Sequence, residues 1–181
     1  DDLTRYHPTT LLETGEDILF FWVARMILMS TSLKGEIPFE HVYLHGMVRD
    51  KKGQKMSKSK GNIVDPRDVI AQYGADAARM SLLVGNPPGD TINFDENKVR
   101  AYKKFSNKLW NIARFVYSNT EEFDYEQFDT STLSADEQQL INDWEAVKAE
   151  VTDDIDNFRL YLAADKLYHY VWHTFADEVI E

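Results

Sequence analysis

The chain contains no cysteine and no long uninterrupted apolar run. The lack of cysteine excludes a disulfide framework and a thiolate zinc site. The longest apolar stretch, residues 18–29, is interrupted by Arg25 and is too short to span a bilayer. The chain begins Asp1-Asp2, without the basic and then apolar segments that are typical of a signal peptide. These features predict a cytoplasmic protein.

Apolar residues make up 43% of the 181 positions and charged residues 28%, which is typical of globular chains with one or two domains. The net charge of −11 is unevenly placed: residues 1–119 hold 17 Lys/Arg and 14 Asp/Glu, whereas residues 120–181 hold 3 and 17. This asymmetry indicates two parts with different roles. The start without methionine and the end inside a helical pattern indicate a fragment of a longer protein.

The first half of the chain has the pattern of a mixed α/β domain. Residues 15–30 have acidic residues in the first turn and apolar residues nearly all round, which predicts a buried helix. Residues 41–49 are rich in β-formers and predict a strand. A helix followed by a strand is half of a βαβ unit, so a loop at the strand's end is placed where open α/β sheets bind ligands.

From about residue 65 onward the predicted elements are helices. Asp65-Pro66 and the capping box Ser134–Glu137 predict helix starts, and Gly74 predicts a helix end. Helices are predicted at about 76–84, 95–118, 134–151 and 153–181, with loops at 86–90 and 119–132. No strand is predicted after residue 95, so we expect a helical bundle there.

The segment Lys55-Met56-Ser57-Lys58-Ser59 follows the predicted strand and lies between Gly53 and Gly61. Two lysines three residues apart can act as point charges for phosphate oxygens, and serine hydroxyls and backbone N–H groups add donors. A solvated basic loop is the alternative interpretation. The position after a strand favours a loop that closes on a polyphosphate.

Several other residues are candidates for a ligand site. Gly15 permits close approach at the start of a helix, and Asp17 could accept hydrogen bonds from ribose hydroxyls. Ile18 and Trp22 are four residues apart and could line an apolar pocket, although both would equally suit a core. Gly46 would permit close approach to an adenine ring, and His45 beside it is either part of that site or structural.

Two further sets of residues have the spacing of possible ligand sites. His169 and His173 have helical spacing but no third ligand nearby in sequence, so no metal site is predicted. Basic residues on the long helix form either a solvated face or a surface that follows an RNA backbone: Arg100, Lys103, Lys104, Lys108 and Arg114.

These motifs resemble a known family. The basic pentamer is similar to the second signature motif of class I aminoacyl-tRNA synthetases. Residues 15–26, Gly-Glu-Asp-Ile-Leu-Phe-Phe-Trp-Val-Ala-Arg-Met, resemble the valyl-tRNA synthetase branch, as do residues 73–79, 105–115 and 170–181. The resemblance implies a mixed, mostly α fold: the C-terminal half of a Rossmann-like domain (residues 1–62), a stem-contacting connection (63–95) and a truncated helical anticodon-binding domain (96–181).

The resemblance also implies a reaction, in which valine and ATP, accompanied by Mg²⁺, give valyl-adenylate and the valyl group then passes to tRNA(Val). Lys55 and Lys58 would stabilise the charge on the phosphates. Gly15 and Asp17 would hold the ribose, and Ile18 and Trp22 would line the valine pocket. The remaining adenylate-binding residues would be His45, Gly46, Met47, Val48, Met56, Ser57 and Ser59. The parent enzyme is expected to be monomeric.

The chain departs from the family in two respects. Residues 120–181 are strongly acidic, which argues against an RNA contact there. The chain also contains no His-x-Gly-His element, which in the family lies upstream and supplies the other half of the ATP site. We therefore expect the isolated chain to be inactive. An isoleucyl- or leucyl-tRNA synthetase fragment is an alternative, as is a non-catalytic RNA- or protein-binding module with a relic nucleotide loop. A P-loop hydrolase is excluded because no Gly-x-x-x-x-Gly-Lys-Ser/Thr is present.

Overall fold

A computed structural model describes residues 1–124 and 126–180; Tyr125 and Glu181, the latter at the end of the predicted helical domain, lie outside the described residues. The chain divides into two compact units. Unit 1 comprises residues 1–63 and 86–94, and unit 2 comprises residues 64–85 together with the chain from residue 95 onward. The predicted fold class, mixed and mostly helical with a partial Rossmann-like part, is confirmed.

Unit 1 contains a βαβ unit. Helix α1 (Asp2–Tyr6) precedes strand β1 (Thr9–Gly15), which sequence analysis did not predict. A 3-10 turn (Glu16–Ile18), a π-helical turn (Leu19–Val23) and helix α2 (Ala24–Lys34) then lead to strand β2 (Phe39–His45). Strands β1 and β2 are parallel, with Thr9 opposite Phe39 and Gly15 opposite His45. The predicted half-unit is thus one part of a complete parallel crossover.

The strand predicted at residues 41–49 is divided in two. Strand β2 ends at His45, and a short strand β3 (Val48–Arg49) pairs with β4 (Ile92–Asn93) instead. The segment 86–94 passes close to the break, with the Gly89 amide donating to the Leu44 carbonyl at 2.9 Å. A Cβ on Gly46 would lie 1.8 Å from the Asp90 carbonyl oxygen, so only glycine fits at the break.

The helix predicted at residues 15–30 was expected to be buried, and this expectation is wrong. Val23 is 2% exposed, but Phe20 is 78% exposed and Leu28 is 68% exposed. The segment is apolar nearly all round, and a two-stranded sheet can cover only one side of it. The turns before α2 also differ from the regular helix that was expected.

Unit 2 is entirely helical over the part of the chain that the structure describes. Its helices are α3 (Pro66–Tyr73), α4 (Ala75–Leu83), α5 (Glu96–Asn119), α6 (Ala135–Asp156) and α7 (Leu160–His169), followed by a π-helical segment (Tyr170–Val179) and with a 3-10 turn (Thr130–Thr132) before α6. The predicted caps are confirmed, since Asp65 accepts from the Arg67 amide and Ser134 forms a capping box with Glu137. The last predicted helix is interrupted at Phe158, which has a φ of 57°.

The core of unit 2 follows the spacing that predicted helix α5. Val99, Tyr102, Phe105 and Ile112 are buried on one face of this helix. Phe105 packs against Tyr168 with ring centroids 4.8 Å apart, and Tyr168 stacks on Trp172 at 5.9 Å. No helix within the described residues is long and apolar enough to cross a membrane.

Candidate functional site

The candidate site of unit 1 is built around the carboxyl ends of the two paired strands. Gly15 at the end of β1 lies opposite His45 at the end of β2. A Cβ on Gly15 would lie 2.9 Å from Asp17 Oδ1 and 3.4 Å from both His45 Cε1 and Met47 Sδ. The fold therefore brings four predicted adenylate-binding residues together at the sheet edge where α/β proteins bind ligands.

Lys55 of the basic pentamer reaches this cluster. Its Nζ lies 3.9 Å from Asp17 Oδ2, and the two side chains are 76% and 48% exposed. An exposed ion pair of this kind contributes about 0–1 kcal/mol, so a phosphate oxygen could replace the carboxylate at little cost. A cation for the phosphates, a carboxylate that can accept hydrogen bonds from ribose hydroxyls and a glycine that permits close approach are together groups that fit a nucleotide.

His45 has local partners that account for its presence without a ligand. Its Nε2 lies 3.7 Å from Glu13 Oε1, and its Nδ1 lies 3.1 Å from the Gly46 carbonyl oxygen. Nearly half of its side chain nevertheless remains exposed at the edge of the cluster. The two sequence interpretations of His45, structural and ligand-binding, are therefore compatible.

The basic loop begins with a tight hairpin inside unit 1. Arg49 bridges Lys55 in antiparallel fashion, and the Gly53 amide donates to the Asp50 carbonyl at 2.9 Å. Asp50 also accepts from the amides of Lys52 at 2.9 Å and Gln54 at 2.8 Å through Oδ1. Asp at the first and Gly at the fourth turn position is a signal that sequence analysis could have used.

Asn62, which follows the pentamer, holds the loop to this hairpin. Its Oδ1 accepts from the Ser57 amide at 2.9 Å, and its Nδ2 donates to Asp50 Oδ2 at 2.8 Å and to the Lys55 carbonyl at 3.4 Å. The hydrogen bond from Asn62 is the main cause that lowers the pKa of Asp50, followed by that from the Gln54 amide. Sequence analysis missed both side chains.

The remaining pentamer residues lie on the surface of the loop. Lys58 and Ser59 belong to an exposed 3-10 turn (Lys58–Lys60), and Ser57 Oγ lies 3.2 Å from Ser59 Oγ. Met56 is half-buried. Within the described residues no ion pair joins Lys58 to a carboxylate, so of the two candidate lysines the resting structure brings Lys55 into the cluster.

The segment 46–48 has a structural explanation beside its proposed contact with adenine. Gly46 is buried against the backbone of Asp90, and the Met47 carbonyl accepts from the Ile92 amide at 2.9 Å. Val48 pairs with Ile92 in the short sheet and is exposed. The glycine is thus required by the neighbouring chain segment, and its contact with a ligand stays a prediction.

Ile18 and Trp22 lie in one open depression of about 530 Å³. Its other lining residues are Phe21, Arg25, Met26 and Met29. Arg25 Nε donates to the Phe21 carbonyl at 3.0 Å, which keeps the guanidinium along the helix. The two candidate pocket residues therefore share an apolar surface, and Trp22 is 46% exposed on it instead of buried in a core.

The cations of α5 largely serve packing within unit 2. Lys108 lies over the Trp172 ring at 4.6 Å and donates to Asp177 Oδ1 at 2.8 Å, and Lys103 donates to the Gln72 carbonyl at 2.9 Å. A hydrogen bond with Tyr73 is the main cause that raises the pKa of Arg100. Arg100, Lys103, Lys104 and Arg114 are all exposed. Three of the five cations thus have partners within unit 2, although four of the five remain on the surface of α5.

No group of three or more His, Asp or Glu residues that could hold a metal ion occurs in the part of the chain that the structure describes. His169 and His173 stack on each other with ring centroids 5.6 Å apart.

A parallel βαβ unit, with a close-approach glycine at the strand ends and a lysine-bearing loop beside it, is the architecture of a partial Rossmann-like domain. The family model described as tRNA synthetases class I (I, L, M and V) matches residues 1–95, just over half of the chain. The chain belongs to this family.

The most similar relatives include valine–tRNA ligases. Those of Clostridium acetobutylicum and Thermotoga maritima are each 45% identical over the whole chain. The chain spans about a fifth of their length, 21% in both cases.

Solved structures share the fold. A LeuRS from Agrobacterium radiobacter K84 in a ternary complex with tRNA and LeuAMS matches with a TM-score of 0.74 at 21% identity, over 91% of this chain and 22% of that one. The Mycobacterium tuberculosis methionyl-tRNA synthetase bound by methionyl-adenylate matches with a TM-score of 0.68 at 28% identity, over 91% and 32%.

Proposed function

We propose that this chain is part of a valine–tRNA ligase that activates valine with ATP and transfers it to tRNA(Val). The observation that carries the proposal is the meeting of Gly15, Asp17 and Lys55 at the carboxyl ends of β1 and β2. The 45% identity of the whole chain to valine–tRNA ligases supports valine as the amino acid. The family includes isoleucine, leucine and methionine enzymes, so the choice of amino acid needs its own test.

In the first step the valine carboxylate attacks the α-phosphorus of ATP, and pyrophosphate leaves as valyl-adenylate forms. Lys55 and Lys58 stabilise the negative charge that develops on the phosphates, and no covalent bond to the protein is needed. Mg²⁺ would accompany ATP, held mainly by its phosphates, and would supply further positive charge there. In the second step a hydroxyl at the 3′ end of tRNA(Val) attacks the valyl carbonyl, and AMP leaves.

The other candidate residues have binding roles in this proposal. Asp17 accepts from the ribose hydroxyls and Gly15 leaves room for the sugar. The backbone of residues 46–48 faces adenine beside His45. Met56, Ser57 and Ser59 shape the loop around the phosphates.

Ile18 and Trp22 form one wall of the valine pocket, within the open depression on the α2 side of unit 1. A pocket that discriminates by one methylene gains about 1–3 kcal/mol, so isoleucine is the informative competitor. Trp22→Ala should remove most of this wall and so enlarge the pocket. It should therefore weaken the preference for valine over isoleucine more than it weakens ATP binding.

The three-part division is also part of the proposal. Residues 1–62 form the C-terminal half of the catalytic domain, residues 63–95 contact the tRNA stem, and residues 96–181 begin the anticodon-binding domain. The exposed side chains of Lys104 and Arg114 support a limited RNA contact on α5. A monomeric, cytoplasmic parent enzyme is what the family resemblance predicts.

The test is amino-acid-dependent exchange of pyrophosphate into ATP, measured on the full-length protein that carries this segment. Exchange that depends on valine and is weaker with isoleucine, leucine and methionine would support the proposal. A preference for isoleucine or leucine would replace valine by that amino acid. No exchange with any of them would favour a non-catalytic binding module.

A further inference from the structure

Asn62 is placed to control the geometry of the basic loop. It lies outside the pentamer, but it hydrogen-bonds the backbone on both sides of Met56: the Ser57 amide at 2.9 Å and the Lys55 carbonyl at 3.4 Å. It therefore fixes the chain between the two candidate lysines. Within the described residues neither lysine is itself anchored by a buried carboxylate, since the Asp17–Lys55 pair is largely exposed.

Asp50 fixes Asn62 in turn. The Asp50 carboxylate accepts three hydrogen bonds, from the amides of Lys52 and Gln54 and from the Asn62 side chain. All three distances are 2.8–2.9 Å, within the range of good hydrogen bonds. The first two bonds hold the carboxylate to the hairpin that follows β3. Asn62 thus connects the loop to a turn that is anchored to the sheet.

We propose that Asn62 and Asp50 form a brace, and that Asn62 is a positioning residue that holds Lys55 and Lys58 at the spacing needed for the ATP phosphates. The proposal rests on the function proposed above. The ammonium group of a lysine lies at the end of a flexible four-carbon side chain. The position of the backbone therefore determines where the ammonium group can reach. Positioning errors of about 1 Å can reduce rates on the order of 100-fold.

The test uses three variants of the full-length protein: Asn62→Ala, Asn62→Asp, and the exchange Asp50→Asn with Asn62→Asp. Asn62→Ala removes every hydrogen bond that the Asn62 side chain makes to the loop and to Asp50. Asn62→Asp keeps an acceptor for the Ser57 amide but places a carboxylate against Asp50. In the exchange variant the side-chain amide at position 50 can donate to the carboxylate at position 62, so the hydrogen bond between the two positions is restored in the opposite direction.

Asn62→Ala and Asn62→Asp should lower kcat/KM for ATP in pyrophosphate exchange on the order of 10- to 100-fold, with KM for valine unchanged. The exchange variant should recover most of the loss relative to Asn62→Asp. Asn142→Ala is the matched control, because Asn142 is an exposed asparagine on α6 that accepts a hydrogen bond from Gln138 and lies in unit 2. It should leave both constants unchanged.

Equal losses for ATP and valine, or an exchange variant no better than Asn62→Asp, would overturn the proposal. Hydrogen exchange of the Ser57 amide tests the brace without reference to the reaction: it should be faster in Asn62→Ala than in the wild type. An unchanged rate of hydrogen exchange at the Ser57 amide would overturn the brace even if the enzyme is active. A wild type without amino-acid-dependent activity would overturn the proposed function, which separates the two failures.

Discussion

The two units bury their apolar residues very differently. Among the described residues, unit 1 buries the large apolar side chains of Val23 and Phe39, whereas unit 2 buries most of the core. Unit 1 leaves Phe20, Phe21 and Leu28 more than 60% exposed. Unit 1 nevertheless holds nearly all candidate site residues. The unit with fewer buried apolar residues therefore holds more of the candidate site residues.

This contrast shows what each kind of sequence signal means. In unit 2 apolar spacing reports burial within the unit itself, as Val99 and Phe105 show. In unit 1 a segment that is apolar all round reports a surface that the unit alone does not cover. Exposed contiguous apolar surface of this kind marks an interaction or ligand site.

The largest effect on stability is expected at the unit 2 core. Phe105→Ala should lower the free energy of unfolding by about 3–5 kcal/mol, because it leaves a cavity beside Tyr168 and Trp172. Phe20→Ala removes the same ring from a site that is 78% exposed, so it should change stability within about 0.5 kcal/mol. Denaturant unfolding of the two variants measures the difference. Similar losses in both would mean that the apolar surface of unit 1 is covered.

The next effect concerns activity alone. Lys58→Ala in the full-length protein should slow valine-dependent pyrophosphate exchange about 100- to 1,000-fold, as expected for a group that stabilises transition-state charge. KM for valine and the thermal midpoint should not change, because Lys58 is exposed on its turn. Lys60→Ala changes a lysine of the same turn and is the matched control. A loss of valine binding equal to the loss of rate would contradict the proposed role.

Local signals predicted local structure well. The caps at Asp65 and Ser134 depend on side chains two to three residues from the amides they accept from, so the sequence contains the whole interaction. The burial of α5 was predictable because its partners form one apolar face. The pentamer was recognisable as a candidate phosphate-binding loop because its residues are contiguous, and that role stays a prediction.

Interactions between distant residues were not predictable in the same way. Strand β1 is defined by its pairing with β2, thirty residues further along the chain. The division of the strand at Gly46 depends on Asp90, and the brace joins Asp50 to Asn62 across the pentamer. Each of these features needs a contact that no periodic pattern encodes. The candidate site was therefore predicted as a set of residues but not as an arrangement.

The smallest effect is expected at the buried carboxylate of unit 2, and it should depend on pH. Asp154 has a side chain that is 4% exposed, and it lies 2.8 Å from Lys166 Nζ and 2.7 Å from Arg159 Nε. The hydrogen bonds from Lys166 and then from Arg159 lower its pKa. A carboxyl with a lowered folded pKa stabilises the protein above its unfolded pKa, and this stability is lost as the pH falls through the folded value.

Asp154→Asn should therefore destabilise unit 2 at neutral pH, and the difference from the wild type should shrink below about pH 4. The loss is limited because Lys166 also pairs with Glu150 at 3.0 Å and Arg159 also pairs with Asp153. Asp156→Asn, at an exposed position on the same helix, is the control and should change the free energy of unfolding by no more than about 0.5 kcal/mol. Denaturant unfolding at several pH values measures both. A difference that persists unchanged into acid would mean that Asp154 acts through packing and not through its charge.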